Sequence, residues 1–152
     1  VTPSSPLIPG DYICFDYGTV RIGMAIGNSL LGTARPLTVI QNYSGTPEWS
    51  KVDQIMEEWA PAGLVVGIPV TLDGEAQEIT HHARGFLKRL KKRYTTRIFS
   101  ADERFSSMDA QQELQKMRAR GQRGKTQHAD VDTLAAALIL ERWFAEQSIA
   151  TL

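Results

Sequence analysis

Ile13-Cys14-Phe15-Asp16-Tyr17-Gly18-Thr19-Val20-Arg21-Ile22-Gly23 reads as an apolar strand, a tight turn at Gly18 and the start of a second strand. Over Asp11–Asp16 the residues alternate, Ile13 and Phe15 facing one way and Tyr12, Cys14 and Asp16 the other. Val20, Ile22, Met24 and Ile26 alternate in the same fashion with Arg21, Gly23, Ala25 and Gly27. Thr33 to Ile40 reads as a third strand. Glu48 to Trp59 has helical spacing and stops before Pro61. Leu64-Val65-Val66-Gly67-Ile68 is wholly apolar, as suits a strand covered on both faces. Ala76 to Tyr94 puts Ile79, Ala83, Phe86, Leu87, Leu90 and Tyr94 on one helical face. A fifth strand over Arg97–Ala101, a helix over Ser107–Arg118 and an apolar helix over Asp130–Gln147 complete the order. Three meandering strands followed by strands alternating with helices predict an α/β fold. Its mixed five-stranded sheet has its first three strands antiparallel and helices on both faces. Residues 11–147 form the single expected domain, with flexible tails over 1–10 and 148–152.

The 152 residues suffice for one core, and a 42% hydrophobic content excludes a disordered chain. The longest apolar run, Leu134 to Leu140, is too short to span a membrane. No export signal is visible, and the single cysteine, Cys14, has no disulfide partner. A reducing, cytoplasmic location is the expectation. The formal net charge of zero conceals segregation. Ile79–Ala101 holds seven basic residues and no acid, and Leu114–Ala129 holds five more, again without an acid. Local fields of this kind attract a polyanion, so nucleic acid is the expected partner, with Lys88, Arg89 and Lys92 on the helix and Lys125 in the Gly-rich loop as candidate phosphate contacts. A solvated helix face and an ordinary surface loop are the plain alternatives.

Asp16 ends the first strand, Glu103 the fifth, and Asp132 opens the last helix. In sheets with parallel strands, sites gather at the carboxyl ends of those strands. Ala135 and Ala136 would let the last helix approach the sheet and turn Asp132 inward. Asp130, about 200° away at ~100° per residue, would face elsewhere and looks like an N-cap. Three carboxylates within about 4 Å repel by roughly 4 kcal/mol per pair at an effective dielectric of ~20. Either protons or a cation must hold them together. An all-oxygen set suits Mg²⁺ or Mn²⁺, which would support cleavage of a phosphodiester. Taken singly, Asp16 could cap the turn, Glu103 could pair with Arg104, and Asp132 could be an ordinary first-turn acid. Arg21 could meet a scissile phosphate or pair with a local carboxylate. Gly67-Ile68-Pro69 and Asp73-Gly74 mark a shaped loop, either a backbone-lined approach for nucleic acid or a simple turn. Ser106 or Ser107 would cap the helix that follows. Ala119–Thr126 has the outline of a phosphate-binding loop but follows a helix where that motif requires a strand. His81 and His82 point about 100° apart and cannot share a metal.

Four motifs together resemble the YqgF/RuvX family, related to RuvC-type Holliday junction resolvases in the RNase H-like superfamily. They are Asp16-Tyr17-Gly18-Thr19-Val20-Arg21-Ile22-Gly23, Gly67-Ile68-Pro69 with Asp73-Gly74, Asp102-Glu103-Arg104-Phe105-Ser106-Ser107, and Val131-Asp132-Thr133-Leu134-Ala135-Ala136. The resemblance implies an RNase H-like fold, with Asp16, Glu103 and Asp132 as the catalytic, metal-binding acids. It also implies a role in maturing the end of pre-16S ribosomal RNA, or in resolving branched DNA. A non-catalytic nucleic-acid-binding protein of the same fold is the rival. A resolvase would act as a homodimer, whereas an RNA-trimming enzyme could act as a monomer.

Overall fold

The computed structural model describes residues 7–71, 73–103 and 128–150. The strands are β1 (Asp11–Asp16), β2 (Arg21–Asn28), β3 (Thr33–Tyr43), β4 (Thr46–Pro47), β5 (Gly63–Pro69) and β6 (Arg97–Glu103). The helices are α1 (Trp49–Trp59), α2 (Glu78–Arg93) and α3 (His128–Ala150). The sheet runs β4-β3-β2-β1-β5-β6. β1–β2, β2–β3 and β3–β4 are antiparallel, while β1–β5 and β5–β6 are parallel. The mixed sheet is therefore the expected one, enlarged to six strands by the short β4. Two residues carry no readable periodicity, so β4 leaves no trace in the sequence pattern. The helix expected over Ser107–Arg118, its capping serines and the basic loop with Lys125 lie outside the described residues.

The alternation in β1 divides the core as expected. Ile13 and Phe15 join Ile22, Met24, Val66, Val52, Phe86 and Leu90 under α1 and α2. Tyr12 and Cys14 join Val65, Ile139, Leu140, Trp143 and Phe144 under α3. Phe15 meets Phe86 edge-on at 5.3 Å on one face, and Tyr12 meets Trp143 at 5.6 Å on the other. Truncating either buried ring to alanine removes about 3–5 kcal/mol. Burial also pushes the Cys14 thiol above its usual ionisation range, which leaves it an inert core side chain.

Three boundaries depart from expectation. Residues 7–10, read as tail, are tied down: Tyr12 donates its hydroxyl to the Ile8 carbonyl at 2.8 Å, and the Ser29 N–H donates to the Gly10 carbonyl at 3.0 Å. The strand read over Leu64–Ile68 runs on to Pro69, which stood in the expected loop, because β5 stays paired with β6 as far as Pro69. The loop proper closes on itself through Thr71 N–H to the Glu75 carbonyl at 3.0 Å, with Gly74 at φ +84°. α3 starts at His128, so Asp130 is a helical residue and not an N-cap, and Asp132 sits in the second turn. α1 does stop before Pro61, with Ala60 in the left-handed region at φ +40°.

Candidate active site

Sheet register sets the floor of the site. Asp16 pairs with Gly23 of β2 on one side and with Gly67 of β5 on the other. Paired residues point to the same face of a sheet, here the α3 face. A carboxylate is thus flanked by two positions without side chains. Both gaps are filled from above. A Cβ on Gly23 would stand 2.2 Å from the Asp132 carbonyl oxygen, so only glycine lets this turn of α3 rest on β2. A Cβ on Gly67 would meet Ile139 Cδ1 at 2.8 Å and Glu103 Cγ at 3.3 Å. The Gly–Asp–Gly row seats Asp132 on one side of Asp16 and Glu103 on the other.

The three sequence-predicted acids therefore share one neighbourhood at the carboxyl ends of β1, β5 and β6. The electrostatics agree. The Asp16 carboxyl is pushed from 3.8 up to about 7, first by burial and then by the charges of Asp132 and Glu103. Asp132 and Glu103 each have a positive partner. Arg21 Nε donates to Asp132 Oδ2 at 2.9 Å, and Arg142 Nη1 donates to Glu103 Oε2 at 3.1 Å. Asp16 has no ion pair among the described residues. Of the two roles open to Arg21, carboxylate pairing is the one present in this geometry.

The β1–β2 turn is clamped from beneath by Asn42. Its Nδ2 donates to the Gly18 carbonyl at 2.9 Å and its N–H to the Val20 carbonyl at 2.8 Å. α2 is pinned to the same end of the sheet by Thr80, whose hydroxyl donates to the Pro69 carbonyl and accepts from the Gln77 N–H.

The donor set fits a hard divalent cation by its chemistry: three carboxylates, no sulfur or imidazole, and one acid raised by burial and then by its like-charged neighbours. Among the described residues, no three acids, histidines or cysteines are grouped closely enough to enclose an ion. The three acids share one neighbourhood, but Asp132 and Glu103 are each paired with an arginine rather than drawn in around Asp16.

The basic candidates lie elsewhere. Lys88 and Lys92 are exposed on α2, which packs on the sheet face opposite the acids. Counted from Glu78 they stand about 15 and 21 Å along the helix axis, away from the acid end. Arg89 is partly buried and donates to the Gly45 carbonyl at 2.7 Å, and Arg93 pairs with Asp53 of α1. These two arginines hold α2 to its neighbours. The sequence reading does not reach the seating of Asp132 over Gly23 and of Glu103 beside Gly67, nor Arg142 at all. The glycines become visible once the strands flanking Asp16 are set in register. Arg142, among the apolar residues of α3, carries no such signal.

The comparisons converge. A family model described as RuvX, Holliday junction resolvase, matches residues 10–146. A relative from Azotobacter vinelandii, named as a candidate pre-16S rRNA nuclease, is 41% identical over 133 residues, covering 88% of this chain and 92% of its own. A relative of the same name from Xanthomonas oryzae is 40% identical over 143 residues, covering 94% of this chain and 92% of its own. Thermus thermophilus RuvC, solved with a Holliday junction substrate, superposes with a TM-score of 0.53 at 16% identity, over 91% of this chain and 96% of that one. Fowlpox virus resolvase, solved with Holliday junction DNA, gives 0.51 at 14% identity, over 91% and 99%. At these identities the two structures speak for the fold, which is RuvC-like and RNase H-like.

Proposed function

The chain belongs to the RuvX family, and from that premise we propose that it is a divalent-metal-dependent nuclease that trims pre-16S ribosomal RNA in the cytoplasm. The supporting observation is the Gly–Asp–Gly row, which brings Asp132 and Glu103 to either side of Asp16. Asp16, Glu103 and Asp132 are the residues that would hold Mg²⁺ or Mn²⁺. What such an ion supplies when bound is activation of water and neutralisation of charge at the phosphodiester. The chain's own residues do the rest. Asp16, pushed up to about 7 by burial and then by the charges of Asp132 and Glu103, would be held in its ionised form by a cation bound among the three acids. Arg21, paired with Asp132 in the absence of substrate, would turn from that carboxylate to meet the backbone phosphate. Lys88 and Lys92 bind flanking phosphates away from the cut, with Arg89 beside them and Lys125 as a further contact.

The likeness in fold to two junction-bound resolvases supports a second reading, cleavage of branched DNA. Symmetric cutting of a four-way junction needs two sites related by a two-fold axis, hence a homodimer; trimming an RNA end needs only one. Incubating the chain with a pre-16S-like RNA and with a four-way DNA junction, each with Mg²⁺ or Mn²⁺, separates the readings. The expected result is RNA cleavage that disappears in EDTA and in Asp16→Asn. Junction cleavage by a dimer would favour the second reading. Binding without cleavage of either substrate would reduce the chain to a nucleic-acid-binding protein.

A further inference from the structure

Glu103 is the most enclosed of the three acids, its side chain only 4% exposed. A carboxylate at that depth is expensive to leave charged without a partner. Arg142 is one such partner, with Nη1 at 3.1 Å from Oε2, and its own side chain is 39% exposed over the top. Arg142 lies ten residues beyond Asp132 on α3, about 15 Å along the axis. A single helix thus supplies one acid of the site and a counter-ion for another. Arg21 plays the matching part for Asp132 from β2. Two of the three acids are therefore already neutralised, in an arrangement that does not enclose an ion.

A divalent cation at Glu103 would face a guanidinium on the same carboxylate, and the two positive charges repel. We propose that Arg142 is a built-in competitor of the metal: it holds Glu103 in the metal-free protein and must yield that carboxylate when the cation binds. The affinity of the site for metal is then set by a residue that is not itself a ligand. Arg142 acts through Glu103 and is a positioning residue. The inference rests on the nuclease reading above.

Mn²⁺ binding to the full chain tests it without any turnover, read from the loss of the free-ion electron paramagnetic resonance signal. Arg142→Gln should bind Mn²⁺ about tenfold more tightly than the unaltered chain. Arg142→Lys keeps the charge and should stay within about threefold. Arg35→Gln removes the same charge beside Trp59, at the other end of the sheet, and should leave the affinity unchanged. Mn²⁺ should also raise the melting temperature more in Arg142→Gln than in the unaltered chain, because tighter binding to the folded state gives the larger stabilisation at a given metal concentration. Arg142→Met, which keeps the aliphatic stem, serves if the glutamine variant folds poorly. Equal or weaker binding by Arg142→Gln overturns the proposal. So does an equal gain in Arg35→Gln, which would reduce the effect to net charge. A chain that takes up no Mn²⁺ in any form, with Asp16→Asn indistinguishable from the rest, would sink the metal-dependent reading together with this inference.

Discussion

A carboxyl group that ionises near neutrality makes the fold sensitive to pH in an unusual direction. Asp16 ionises at its ordinary 3.8 in the unfolded chain and at about 7 in the folded one. Between those values the folded state holds the extra proton. Its contribution to stability is therefore complete below about 4 and is lost as the pH rises through 7. The full span is worth about 4 kcal/mol at 1.36 kcal/mol per unit, and the part between pH 5.5 and 8 about 2 kcal/mol. Urea unfolding in EDTA should give a lower midpoint at pH 8 than at pH 5.5, and Asp16→Asn should remove most of the difference. Identical midpoints at the two pH values would show that Asp16 is not held in this environment. The glycines supply a second test at this scale. Gly23→Ala forces a Cβ against the Asp132 carbonyl and should cost about 1–3 kcal/mol and at least tenfold in cleavage rate. Gly85→Ala on α2 meets nothing within 4 Å and should stabilise the chain by about 0.5–1 kcal/mol. A Gly23→Ala chain as active as the original would show that Asp132 needs no such close seat.

Among the elements, β3 is long and lies next to an edge, with only the two-residue β4 beyond it. Bare strand edges invite pairing with other chains. This one is satisfied by side chains instead. Glu141 accepts from the Ala34 N–H at 2.9 Å, Glu48 from the Gln41 N–H at 2.6 Å, and Lys51 donates to the Val39 carbonyl at 2.9 Å. Pro36 offers no N–H at all. Replacing Glu48 and Glu141 together with alanine should produce concentration-dependent association in sedimentation velocity runs; a chain that stays unassociated would show that the edge needs no such cover. The elements are also where sequence and structure can be compared most directly. Alternation in Asp11–Asp16 and helical spacing in α1 and α2 expose the fold class, because each of these segments buries one well-defined face. Asp16 and Glu103 stand out in the sequence because charged groups at strand ends contrast with the apolar runs before them. The seating of Asp132 was not legible, since it depends on register between β1 and β2, which no local pattern encodes. Nor was the start of α3 at His128, because Asp130 has the chemistry of a cap without occupying that position.

At the scale of the molecule, the decisive fact among the described residues is that the three candidate acids and the exposed lysines Lys88 and Lys92 occupy different layers. Asp16, Glu103 and Asp132 lie between the sheet and α3, while Lys88 and Lys92 ride on α2 across the sheet. Replacing both lysines with alanine should lower the slope of log affinity against log salt by about 1.4 for a single strand, and leave the cleavage rate at saturation unchanged. An unchanged slope would clear this face of any phosphate contact.

That separation constrains what can be held. Double-stranded DNA is stiff over about 50 nm, many times the width of one domain, and a straight rod can lie along only one side of a slab. A ligand that reaches both layers has to turn a corner, as an unpaired RNA end or the elbow of a branched junction can. The division of charge across the sheet would then act as a gauge of bendability, read before any bond is cut.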